Sequence, residues 1–113
     1  MGLDFDKSDA HWAYSGFHRF RCRLAKEAGI DLNSMEGFGG GISWDTFDDP
    51  IKPLLDHSDC DGLLTPQECK AVAPRLKELI SGWADGDWDR MTAQRFADDL
   101  QKCADSNEDM VFC

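Results

Sequence analysis

The sequence predicts a mostly α single small domain of about four helices, joined by a long Gly-rich connector and one compact loop at 57–68. Three observations carry that reading: apolar residues recur at helical spacing, capping residues and prolines mark the helix starts, and turn-forming residues cluster between them. The alternative is an α+β variant with a short N-terminal strand. Of the 113 residues 42% are apolar, with four tryptophans and seven phenylalanines, so residues 1–113 are expected to share one core.

Leu3 and Phe5 alternate with Asp4 and Asp6, the pattern of an edge strand or an extended arm. Phe17, Phe20, Leu24, Ala25 and Ala28 then share one side of a helix over about 16–28, which Ser15 caps and Gly29 ends. Its other side carries Arg19, Arg23 and Lys26, with His18 and Arg21 nearby. Residues 31–47 hold four glycines within positions 37–41 and read as a connector pinned by Phe38 and Trp44. No Gly-Lys-Ser/Thr ending follows and no apolar strand leads in, so a nucleotide cradle is not supported.

Asp48, Asp49 and Pro50 open a short helix from Ile51 to Asp56 that turns Leu54 and Leu55 inward. Thr65-Pro66-Gln67-Glu68 is a capping box with proline at the first helical position, and the helix it starts runs to about Ser81. Val72, Leu76, Leu79, Ile80 and Trp83 form its apolar stripe, and Pro74 marks a kink. Trp88, Met91, Phe96, Leu100 and Cys103 place a last helix over about 88–104. The apolar tail Met110 to Cys113 is expected to dock back onto the body.

The stretch His57-Ser-Asp-Cys-Asp-Gly-Leu-Leu-Thr-Pro-Gln-Glu68 has the ligand spacing of a twelve-residue calcium loop. Asp59 and Asp61 stand at positions 3 and 5, Gly62 at the sharp turn, the Leu63 carbonyl at position 7, Thr65 at position 9 and Glu68 at the bidentate position 12. From Asp48 to Leu79 the chain resembles the EF-hand family. The resemblance implies calcium held by these groups, with Leu64 tied to a partner strand. Two departures stand against it: His57 occupies the position of the first carboxylate, and no second complete loop pairs with this one. The same residues also make a turn and a helix cap that need no metal.

Zinc is the less favoured ion. His57 and Cys60 have the gap of a zinc ligand pair, and Cys69, Cys103 or Cys113 would have to complete the tetrahedron from a distance. No Cys-x-x-Cys pair exists. The five cysteines, an odd number, point to free thiols or ligands rather than a disulfide framework. For catalysis, His57 with its neighbouring carboxylates is the candidate, but no catalytic arrangement is recognisable, so the chain reads as more a binding protein than an enzyme.

Charge narrows the partners. Net charge is −10, and residues 1–30 hold five basic against four acidic side chains, leaving seven basic and eighteen acidic in the rest. That balance disfavours nucleic acid and favours a cation or a basic protein surface. No apolar run reaches membrane-spanning length and the start lacks a secretory layout, so a cytoplasmic location is expected. Of the aromatic pairs Trp12/Tyr14 and Trp83/Trp88, any tryptophan left exposed would mark a partner surface.

The segments M-G-L-D-F, H-W-A-Y-S-G-F-H-R-F-R, M-E-G-F-G-G, D-P-I-K-P-L-L-D-H-S-D-C-D-G and the terminal V-F-C together resemble a group of small uncharacterised proteins of bacteria and their phages. The resemblance implies a prokaryotic or phage setting and no known activity. The functional expectation is thus a small acidic binding or regulatory module with a divalent-cation loop. The alternatives are a metal-independent acidic interaction protein, such as a phage-encoded binder of a host factor, and an enzyme built on His57 if a pocket encloses the loop.

Overall fold

In the computed structural model, which describes residues 2–58 and 61–113, a hairpin leads directly into the first helix. Strands β1 (Leu3–Phe5) and β2 (Ser8–Trp12) pair antiparallel, Leu3 opposite Trp12 and Phe5 opposite Ser8, with an irregularity between. The N-terminal alternation is therefore a strand with a partner. Helix α1 spans Tyr14–Glu27 and begins earlier than the spacing suggests: Ala13, not Ser15, is its cap, and it offers no side-chain cap bond. Packing explains the early start. Trp12 stacks on Phe20 at 4.6 Å and lies 5.6 Å from Phe17, so the chain turns into the helix as soon as the strand ends, and the Ala13 carbonyl accepts from the Phe17 amide at 2.8 Å.

The connector forms two short 3-10 turns, Leu32–Ser34 and Trp44–Thr46. Phe38 and Trp44 meet at 5.9 Å and Trp44 donates to the Glu36 carbonyl at 3.0 Å, as the pinning reading expects. One glycine here has a steric cause: a Cβ at Gly40 would fall 2.1 Å from the Ser34 backbone, so only a residue without one lets the two main chains approach.

Helix α2 (Lys52–Leu55) is short, and Asp49 accepts from the Ile51 amide ahead of it. Helix α3 (Pro66–Ile80) opens on the capping box read from the sequence: Thr65 Oγ1 accepts from the Glu68 amide at 3.2 Å, and Glu68 Oε1 from the Thr65 amide at 2.9 Å. The helix continues through the exposed Pro74. Helix α4 (Trp88–Asp105) starts at Asp87, whose carboxylate accepts from the amides of Asp89 and Arg90. It packs along α3 as the most extensive pairing between elements.

Strand β3 (Leu63–Leu64) pairs antiparallel with β4 (Met110–Val111), and Phe112 bridges to Phe5, so the tail lies between the loop and the hairpin. The tail docks as expected: Met110 and Phe112 are buried. One core joins Leu3, Trp12, Phe17, Phe20, Leu24, Leu54, Leu76, Phe96 and Phe112. The radius of gyration, 13.1 Å, is that of a compact chain of this length. The fold is mostly α, about four helices with short strand pairs.

Candidate functional site

Three places gather chemistry: the loop at 57–68, an open hollow beside it, and an exposed face where α4 meets β2. Within the loop, Gly62 adopts φ +90°, the left-handed turn expected of position 6. Leu64 is buried and pairs with Met110, so the strand tie is present and its partner is the C-terminal tail. His57 lies over this turn. Its ring stacks on Phe112 at 3.9 Å, with Nδ1 2.8 Å from the Ser58 carbonyl oxygen and Nε2 3.0 Å from that of Leu63.

The candidate ligands are thus distributed as follows. Leu63 already shares its carbonyl oxygen with His57, and Glu68 Oε1 and Thr65 Oγ1 serve the capping box. Asp61 is exposed, while Asp59 and Cys60 lie outside the described residues. Among the described residues no three His, Cys, Asp or Glu side chains come together as a metal group. Among the described donors, a cation would compete with the His57 ring for the Leu63 carbonyl and with the Thr65 amide for Glu68.

The thiols suggested for zinc are apart from the loop's surface. Cys69 is buried with its Sγ toward the Leu64 carbonyl, and burial, with Cys103 adding to it, pushes this thiol up to about 11. That keeps it protonated and a poor ligand at neutral pH. Cys103 is also buried, Cys113 is exposed, and both are free.

The hollow, about 460 Å³, is walled by His18, Arg21, Phe38, Asp56 and His57. Burial raises the Asp56 carboxyl above its ordinary value, with Lys52 and His57 opposing. Both ring nitrogens of His57 lie beside main-chain oxygens, and a neutral ring, with one N–H, donates to one of them. Arg21, grouped with the basic residues in the sequence, is instead only 3% exposed. Its Nη1 donates to the carbonyls of Leu54, Leu55 and His57, and its guanidinium lies 4.6 Å and 5.1 Å from the Phe17 and Phe38 rings. It fastens α1 to the end of α2 and so fixes where the loop begins.

The third place is one the helical stripe does not mark. Trp88 and Met91, whose spacing marks the last helix in the sequence, are 55% and 53% exposed, one turn apart at the start of α4. Trp12, buried, meets Trp88 edge-on at 6.2 Å. Between this turn and β2 runs a groove of about 230 Å³ lined by Asp9, Ala10, His11, Trp88, Met91 and Arg95. His11 is paired to Asp4 at 2.7 Å.

Arg23 steadies this end of α4. It donates to Asp87 at 2.8 Å and to Asp89 at 3.0 Å, and lies 3.7 Å over the Trp83 ring. Asp89 in turn accepts from Trp12 Nε1 at 3.2 Å. Arg23, by its hydrogen bonds and charge, holds the Asp87 carboxyl below its ordinary value. A carboxylate lowered on folding contributes stability above the unfolded carboxylate range and loses it as pH falls through the lowered native value. Asp87→Asn is therefore expected to flatten the acid side of a plot of melting temperature against pH, and an unchanged acid side would refute the ion pair.

Comparison with protein families, with curated proteins and with solved structures finds no match.

Proposed function

We propose that this chain is a small acidic protein-interaction module whose binding face is the Trp88/Met91 turn of α4 and the groove beside β2. The observation behind the reading is the pair of large apolar side chains left side by side at the surface while the rest of α4's stripe is buried. Single exposed apolar residues such as Ile42 are ordinary. An exposed tryptophan beside a methionine over a groove is the composition of an interface anchor. The net charge of −10 adds long-range steering toward a basic partner.

Because the two side chains support little of the core, Trp88→Ala/Met91→Ala is expected to melt within a few degrees of wild type, ~1 kcal/mol or less for exposed sites, yet to lose the partner. Affinity capture from extract of the source cells, run with both proteins and compared by mass spectrometry, checks this. An identical set of retained proteins would refute the reading.

A divalent cation at 57–68 is the second reading, favoured by one observation: the left-handed Gly62 and the Leu64–Met110 pairing reproduce the frame of a calcium loop. Calcium should then raise the melting temperature, by about 2.7 kcal/mol of stability at a hundredfold excess over the dissociation constant. Glu68→Gln should abolish that rise and leave the metal-free protein unchanged, since glutamine still serves the capping box. A wild-type melt indifferent to calcium rules this reading out.

A further inference from the structure

We propose that the groove between β2 and α4 receives a basic, amphipathic segment of a partner protein, one that lays a Lys or Arg side chain against the Trp88 indole and an aliphatic anchor against Met91. The inference rests on the interaction reading above and adds the chemistry of the occupant. The argument is charge complementarity. Trp88 offers an exposed ring that Trp12 meets edge-on, and an indole face is the aromatic surface that attracts a cation best.

Carboxylates stand at the hollows on either side of Met91. Asp9 lines the groove at the β2 side, with Asp4 beyond it, its side chain 64% exposed and held on His11. On the far side of Met91 a second hollow is lined by Asp85, Arg90 and Gln94, and the Asp85 side chain is 99% exposed. Arg90 pairs with Asp85 and donates to the Trp83 carbonyl, so this pair adds no net charge, and the attraction for a basic occupant comes from Asp9, Asp4 and the chain's overall charge of −10. Arg95 is the exception: exposed, it lines the groove with no ion pair among the described residues, and its charge opposes a basic occupant. That exception gives the proposal a test of sign.

The probes are two fluorescein-labelled amphipathic peptides of equal length, one of Lys and Leu and one of Glu and Leu, titrated by anisotropy at physiological salt. Wild type should bind the Lys/Leu peptide at least tenfold tighter than the Glu/Leu peptide. Trp88→Ala/Met91→Ala should weaken that binding about tenfold or more, as loss of an anchor pair does. Arg95→Glu should tighten it several-fold, and Asp9→Lys should weaken it, each charge acting at close range. Equal binding of the Lys/Leu peptide by wild type and by the Trp88/Met91 variant would place the contact elsewhere, overturning both the site and the interaction reading. Preference for the Glu/Leu peptide, with Arg95→Glu weakening and Trp88→Ala abolishing binding, would overturn the basic occupant and leave the face standing. A dimer in sedimentation velocity that dissociates in the Trp88/Met91 variant would assign the groove to a second copy and overturn the proposal as well.

Discussion

Leu24→Ala should cost about 2–5 kcal/mol of stability, through lost transfer energy and the cavity left behind. Leu24 is fully buried on α1 within the aromatic cluster of Phe17 and Phe20, where neighbours are fixed by ring packing and relax little. Urea denaturation reads the loss directly, and for a domain of this size it is a large fraction of the total. The control is Arg23→Ala on the opposite side of the same helix. From the sequence that change should cost little. The structure raises the expectation to about 1 kcal/mol, because Arg23, 39% exposed, gives up its pairs to Asp87 and Asp89 and its place over Trp83. Equal midpoints for the two variants would mean the buried side of α1 is misassigned.

Arg21→Met should cost about 3 kcal/mol, more than an exposed arginine by a wide margin. Methionine keeps much of the volume but leaves the carbonyls of Leu54, Leu55 and His57 without their donor in a buried setting, and each such orphan costs about 1–3 kcal/mol. Arg19→Met, on the exposed side of the helix, is the comparison. Coincident denaturation midpoints would show that water replaces the guanidinium at the end of α2, and the anchoring role would be withdrawn.

What the sequence disclosed follows the range of the interactions involved. The capping box at Thr65 and Glu68 was legible because both partners lie within one turn, and the inward side of α1 because its period is local. The role of Arg21 was not: its acceptors lie 33 to 36 residues away, and a basic residue beside other basic residues carries no local sign of burial. Trp88 and Met91 keep the spacing of the stripe, yet periodicity cannot reveal that the first turn of α4 runs past the cover that buries Phe96 and Leu100. The loop shows the same limit. Its spacing pointed to ligands for a cation, whereas the ring of His57 on the Leu63 carbonyl depends on Phe112, placed behind it by the tail.

The tail has a consequence for synthesis. Asp4 and Cys113 exchange main-chain bonds at 3.3 and 2.9 Å, and Val111 accepts from the Asp6 amide at 3.1 Å. A hairpin made among the first residues is therefore completed by residues made more than a hundred positions later. At ribosomal speeds of about 5–20 residues per second, Phe5 and its neighbours wait roughly 5–20 s without the Phe112 ring that covers them. During that interval the nascent hairpin presents aromatic surface to whatever is at hand.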